Sequence, residues 1–447
     1  MKRRALKNVA LTLCTALLTT ALGCGAGNGD PVADPTPTPE IADNVTPAPT
    51  DAPQLKTSVN LMADVDAGKA ETTELTDEFL NAQNRFAVKL LQTQYESGKN
   101  TMISPVSAML ALAMTANGAR GTTLSEMENV LGSGIGIEEL DKMLYTFASS
   151  LDSNEKCKVH IADSIWFSDD ADMIRVKDDF LKTNAKYFGS EIYKAPFDDT
   201  TLKDVNDWVN KNTDGMIPSI LEKVKKEDVM YLINAISFDA EWRKPYDESG
   251  VFDGTFTNAT GKGEKVKMMA SEEGTYLEDD TCTGFMKDYA GGYAFVALLP
   301  NEGVSIDKFV ASLTEEKLMK LLNNRVYTKV RTRMPSFETE CSFTLNDGLK
   351  AMGMPTAFDG MAADFGNMAY DDGNGNICID RVIQKTYIKV DEKGTKAGAA
   401  TLVAMMKNTA FIVEEPKEVF LDRPFVYMII DTENFLPLFF GAECSVK

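Results

Sequence analysis

Apolar residues recur at helical spacing between Asp77 and Tyr95, where Phe79, Leu80, Phe86, Leu90 and Leu91 share one stripe. Ser104-Pro105 sets a hydroxyl cap ahead of a first-turn proline and predicts a helix ending at Gly118; Gly121-Thr122-Thr123 opens another. Lys158–Phe167 and Met230–Trp242 read as buried strands, and residues 205–217 as a polar helical stretch carrying Trp208. Asn234 is the single amide in its apolar strand, between Leu232, Ile233 and Ile236, so it must find a hydrogen bond. Alternation broken by Gly and Asn between Val251 and Pro300 predicts an antiparallel sheet. One amphipathic helix is predicted over Ile306–Leu322, a basic alternating strand over Val326–Phe337, a helix within 345–354, and a long strand over Ile377–Val390.

That last strand runs into Val390–Pro416, which the rest of the chain is organised around. With a period of two, Thr395, Ala397, Ala399, Thr401, Val403 and Met405 form an uncharged, mostly small face; the opposite face carries one charge, Lys396. The segment is rich in Ala and Gly, a poor spontaneous strand former. It reads as a stretch held out as an exposed loop yet patterned to become a strand; an Ala-rich helix or a long surface loop is the competing reading.

The Glu392, Gly394, Thr395, Ala397, Ala399, Ala400 and Thr401 pattern resembles the hinge of the reactive-centre loop of the serpins, with mild departures at Lys396 and Gly398. The stretch around Ser104 and Ser107 is similar to the family's second-helix signature. Asn206, Trp208, Val209, Thr213, Gly215 and Ile217 match a further motif, and Asp422, Arg423, Pro424 and Phe425 the closing one. The resemblance covers residues 76–447. It implies an α+β fold of three mostly antiparallel β-sheets with about nine helices and an exposed reactive-centre loop. It also implies a polar "shutter" of Ser104, Ser107, Asn234 and Gln384 beneath the main sheet, with Trp208 at the "breach" where the loop first enters it. Many members carry a histidine where this chain has Gln384, which donates and accepts but cannot charge.

The activity implied is suicide inhibition of serine or cysteine proteases, in which the target attacks a bait bond and the freed hinge inserts as a new strand. About 14 inserted residues would carry the trapped acyl-enzyme roughly 45 Å. No charge or proline on the inward face opposes this. Counting seventeen residues from Glu392 puts the bait bond at Asn408-Thr409, with Lys407-Asn408 and Met406-Lys407 as alternatives; counting back from Pro424 gives a site five residues later, so the loop is longer than usual. The competing function is a non-inhibitory serpin acting as a surface binding protein, which would be cleaved without forming a covalent complex.

Residues 1–24 place Lys2, Arg3, Arg4 and Lys7 before an apolar run from Val9 to Leu22, as in a secretory signal peptide. They end in Ala-Leu-Gly-Cys, similar to a bacterial lipobox, so that Cys24 would be lipidated and anchor the protein outside a cell membrane; ordinary cleavage and an uncleaved anchor are the alternatives. Residues 25–57, rich in Pro and Thr, read as a disordered tether, and residues 58–75 as an uninformative lead-in.

About 375 residues remain for one large domain. The net charge of −21, more negative once a basic signal peptide is gone, argues against nucleic acid as a partner. Cys157, Cys282, Cys341, Cys378 and Cys444 are widely spaced without a CxxC pair; they read as small apolar fillers, with one bridge left open, and no zinc site is expected. Asp371, Asp372, Asn374 and Asn376 fail the EF-hand pattern and read instead as a hairpin turn at Asn374-Gly375. His160 is the lone histidine, so a Ser-His-Asp or Cys-His enzyme would rest on it alone. No catalytic residue, metal or cofactor is expected; the expected partner is a protease bound covalently to a monomer.

Overall fold

The structure is a computed structural model and describes residues 57–151, 154–169, 174–370, 377–395 and 415–447. Up to residue 212 helices predominate among the described residues: β1 (Val59–Asn60), α1 (Asp77–Gln94), β2 (Thr101–Ile103), α2 (Pro105–Ala116), α3 (Gly121–Gly132), α4 (Ile137–Ser150), β3 (Cys157–Ser168), α5 (Asp178–Phe188), β4 (Glu191–Ala195) and α6 (Asp199–Asn212). From residue 230 strands dominate: β5 (Met230–Glu241), β6 (Val251–Thr257), β7 (Gly263–Glu278), β8 (Cys282–Asp288) and β9 (Tyr293–Pro300) precede α7 (Ile306–Ser312) and α8 (Glu315–Asn323). Then come β10 (Val326–Pro335), β11 (Phe337–Thr344), α9 (Asn346–Met352), β12 (Arg381–Val390), β13 (Gly394–Thr395), β14 (Lys417–Phe420), β15 (Phe425–Asp431) and β16 (Pro437–Glu443).

The strands form two hydrogen-bonded networks. One is a seven-stranded sheet in the order β1-β4-β3-β5-β13-β12-β11; the other runs β14-β10-β7-β8-β9-β15-β16-β2, with β6 on β7. The third expected sheet exists as the β6-β7-β10-β14 end of the second network. It stays continuous with the rest because β7, at 16 residues, is long enough to serve both parts. The fold is α+β, as expected.

Period-two geometry explains why β5 is apolar on both faces. Met230, Leu232, Ile236 and Phe238 join the main core, whereas Tyr231, Ile233 and Ala235 join a second cluster with Trp166, Val205 and Trp208. Helix α2 starts as its sequence indicates: the Ser104 hydroxyl accepts from the Ser107 amide, and Pro105 occupies the first turn.

Several boundaries differ from expectation. The single helix predicted over Ile306–Leu322 is two, parted at Leu313-Thr314. Thr314 caps α8 by accepting from the Lys317 amide, while the Gln92 side chain from α1 donates to the carbonyls of Val310 and Leu313. The strand predicted from Ile377 starts at Arg381. The lead-in is not featureless: Val59 and Asn60 pair with Lys194 and Tyr193 along the free edge of β4. Cys282, Cys341, Cys378 and Cys444 are free thiols, and Cys157 is buried. Cys24, the tether, and Asp371, Asp372, Asn374 and Asn376 lie outside the described residues.

Candidate functional site

The site lies along β5, at two levels. At the upper level β12 ends at Val390 and the chain reverses through an Asx turn, with the Asp391 carboxylate accepting from the amides of Lys393 (2.9 Å) and Gly394 (3.3 Å). Gly394 and Thr395 then lie as β13 between β12 and β5, antiparallel to both: Thr395 is opposite Val390 on one side and Ala240 on the other. Glycine is required at 394 by close approach, since a Cβ there would sit 2.1 Å from the Ala240 carbonyl oxygen. The sequence led us to expect the hinge outside the sheet. Gly394 and Thr395 are instead fully buried within it, because β5 and β12 diverge at this end and leave backbone partners on both sides.

Aromatic residues floor this level. The Thr395 hydroxyl is 2.6 Å from the Tyr289 phenol, and the Tyr289 ring stacks on Trp242 at 4.1 Å. The Trp242 indole donates to the Asp391 carbonyl at 2.8 Å, its backbone amide to the Lys393 carbonyl at 2.8 Å, and the Tyr246 amide to the Glu392 carbonyl at 2.9 Å. Beneath them the buried Lys287 ammonium pairs with Glu273 at 2.7 Å and lies 4.2 Å from the centre of the Tyr246 ring. Burial pushes the Lys287 ammonium below its usual range, against the pull of Glu273.

Trp208 is not at this level. It sits on α6, where its indole donates to Glu191, and Glu191 is in register with Ser164 and, across β3, with Ile233. The hinge is level with Ala240, about 23 Å further along the strand. The tryptophan beside the hinge is Trp242. Sequence reasoning had only its place at the end of an apolar strand to go on, and the matched motif drew attention to Trp208.

At the lower level β5 and β12 are directly paired, parallel, from Tyr231–Arg381 to Ile236–Thr386. Asn234 is opposite Gln384 on one side and Asp163 of β3 on the other. The three side chains form a row over which the start of α2 is laid. Gln384 donates to the Asn234 side-chain oxygen at 2.6 Å and to the Ser104 carbonyl at 2.9 Å, and accepts from the Ser104 amide at 2.9 Å. Asn234 donates to both Ser107 and Asp163, and the Ser107 hydroxyl donates to Asp163 at 3.3 Å. Ser104, Ser107, Asn234 and Gln384 thus meet as the resemblance implied. Asp163 was missed, although it is the one acid inside a run of apolar strand residues. Burial raises its carboxyl to about 8, with the Asn234 and Ser107 hydrogen bonds opposing the shift.

Ala397, Ala399, Ala400, Thr401 and the candidate bonds from Met406 to Thr409 lie outside the described residues. The two ends of that stretch are fixed in different sheets, since Thr395 belongs to the seven-stranded sheet and β14 pairs parallel with β10 in the other. Among the described residues no cluster of three His, Cys, Asp or Glu side chains is arranged to hold a metal ion.

The family model described as Serpin (serine protease inhibitor) matches residues 81–446. An uncharacterised serpin-like protein of Thermococcus kodakarensis is 29% identical over 82% of this chain and 86% of its own length. Leukocyte elastase inhibitor A of Mus musculus is 26% identical over 83% of this chain and 100% of its own. Among solved structures, the native state of the thermophilic serpin tengpin is 42% identical, with a TM-score of 0.82, over 87% of this chain and 100% of that one. Its latent state gives 39% and 0.74, over 84% and 100%.

Proposed function

The chain belongs to the serpin family, and on that premise we propose that it is a suicide-type inhibitor of extracellular serine proteases. The target's nucleophile attacks the carbonyl of Asn408, the amine of Thr409 leaves, and an ester joins the two proteins. The freed segment then extends β13 downwards between β5 and β12. The observation that carries this reading is β13 itself, whose Gly394 and Thr395 already occupy the first two positions of such a strand. Insertion exchanges the direct pairing of β5 with β12 for two ladders, one on each side of the new strand, and buries the small face of Thr395, Ala397, Ala399 and Thr401. The inhibitor supplies no catalytic group. The protein acts as a monomer, held outside the cell through lipid on Cys24.

Incubation with trypsin-like, elastase-like and subtilisin-like proteases tests the reading. The expected product on a denaturing gel is a covalent complex, and mass spectrometry of the released C-terminal peptide identifies the bond. Clean cleavage by every protease without a complex would leave only the binding-protein reading. A nick near Asn408 is expected to raise Tm sharply, because the cut lets the strand complete the sheet.

A further inference from the structure

Helix α4 carries one acid on its buried face. Leu140, Met143, Leu144 and Phe147 pack it into the core, and Asp141 is buried with them at 1% exposure. Neither carboxyl oxygen of Asp141 has a hydrogen-bond partner among the described residues. The carboxyl lies beside Asn117, which caps the C-terminal end of α2. A helix C-terminus disfavours negative charge, and α2 has no charged side chain to offset one. Burial raises the Asp141 carboxyl to about 8, with Asn117 opposing the shift and Glu138, one turn back on α4, adding to it. The other charged groups of the elements packed here are exposed or engaged elsewhere. Glu139 and Lys142 on α4, Glu71 and Glu74 before α1, and Asp178, Asp179 and Lys182 on α5 are exposed. Lys186 lies over the Tyr187 ring, and on α3 Glu128 accepts from the Ile137 amide and Glu126 from Thr356.

A second orphaned group lies level with the first. Asn184 on α5 is fully buried; its amide donates to the carbonyl of Phe180 at 3.0 Å and to that of Met114 on α2 at 3.4 Å, and its side-chain oxygen has no partner. Met114 is one turn before Asn117. Tyr145, one turn beyond Asp141, meets Tyr187, one turn beyond Asn184, edge-on with ring centres 6.4 Å apart. A buried acid and an oxygen without a donor therefore share one level of the junction of α2, α4 and α5.

We infer that α4 is held by a proton-operated latch: protonated Asp141 donates to the Asn184 side-chain oxygen and docks α4 on α2 and α5, and loss of that proton to water releases the helix. The proton satisfies both orphaned groups at once, whereas a carboxylate in the same place would be an unpaired buried charge. In the released helix the carboxyl is solvated and titrates near 4. Docking thus takes up a proton between the two limits. It is strongest below about pH 4, weakens about tenfold per unit as pH rises toward 8, and is level beyond. Release bares the apolar face of Leu140, Met143, Leu144 and Phe147, so the latch confines the fully docked protein to neutral and acidic surroundings. None of this depends on protease inhibition.

The test is amide hydrogen exchange on the whole chain at pH 5, 6, 7 and 8, corrected for intrinsic exchange rates, with α1 as the internal reference. Protection of α4 relative to α1 is expected to fall at least tenfold from pH 5 to pH 7. In Asp141→Asn, whose carboxamide can donate to Asn184 at any pH, it is expected to stay within threefold. Asp141→Leu, a second variant that cannot titrate, should be equally flat. Asn184→Leu removes the acceptor and is expected to lower α4 protection at least threefold at pH 5, in the parent and in Asp141→Asn alike. The same α4 profile in the parent and in both Asp141 variants overturns the inference, as does α4 protection indifferent to loss of the Asn184 oxygen. An effect of Asp141→Asn that is equal in α1 and α4 would mark global unfolding and overturn it too.

Discussion

The Gln384 side chain donates to the Asn234 side-chain oxygen at 2.6 Å, across the seam between β12 and β5. An inserted strand has to part these two residues. The same glutamine closes on both backbone groups of Ser104, so the seam and the start of α2 are held by one side chain.

Gln384→Leu leaves the Asn234 oxygen and the Ser104 amide without their partners in a buried site, while the Ser104 carbonyl keeps the Ala108 amide. The expected cost is about 1–3 kcal/mol, read as a lower urea midpoint. Gln384→His can restore a donor and an acceptor, but only when neutral. Its stability should hold above about pH 6.5 and fall as pH drops below that, because the unfolded state takes up the proton more readily. A leucine variant with an unchanged midpoint would remove Gln384 from the account.

Thr395→Arg sets a charge in a slot that is 0% exposed. The variant should fold with its hinge expelled, be cleaved by the target, and no longer trap it. Gly394→Ala should also expel the hinge, because its Cβ would meet the Ala240 carbonyl oxygen. Both should change the emission of Trp242, measured with Trp166 and Trp208 replaced by Phe, since the Trp242 indole donates to Asp391 at the base of the turn. Normal trapping by Thr395→Arg would refute insertion in this protein.

Burial raises the Asp163 carboxyl to about 8, above its ordinary value near 4. The folded state therefore holds a proton that the unfolded state has released between those limits. The contribution of Asp163 to stability is full below about pH 4, declines as pH rises toward 8, and is level beyond. Asp163→Asn keeps the acceptor and removes the titration, so its stability relative to the parent should grow from pH 5 to pH 8, by on the order of a few kcal/mol. Urea unfolding at pH 5, 6, 7 and 8 measures this; two parallel stability curves would contradict it.

Lys287→Met removes the cation from a buried pair and leaves Glu273 uncompensated. The expected loss is about 3–5 kcal/mol. A hydrophobic swap of both partners, Lys287→Met with Glu273→Leu, should recover much of it. If the single variant is as stable as the parent, the ammonium under Tyr246 contributes nothing to the platform beneath the hinge.

Most elements were legible because the cues are local. The cap at Ser104-Pro105 and the apolar alternation of β5 each act within a few residues. The break at Leu313-Thr314 was also local, a threonine followed by two glutamates at a helix start, but the continuous apolar stripe masked it. Its second cause, Gln92 reaching across from α1, lies more than 200 residues away in sequence.

The site divides along the same line. Sequence alone determined that Asn234 needed a buried partner, that Gln384 could be one without charging, and that the face beginning at Thr395 was small and uncharged. Each follows from residue type and a period of two. Only the tertiary structure decided that Asp163 shares their row, because strand register joins residues 71 apart there. It also decided that Trp242, not Trp208, lies under the hinge, and that Gly394 and Thr395 are already inside the sheet. Register and strand divergence are set by the packing of whole sheets, and no stretch of sequence carries them by itself.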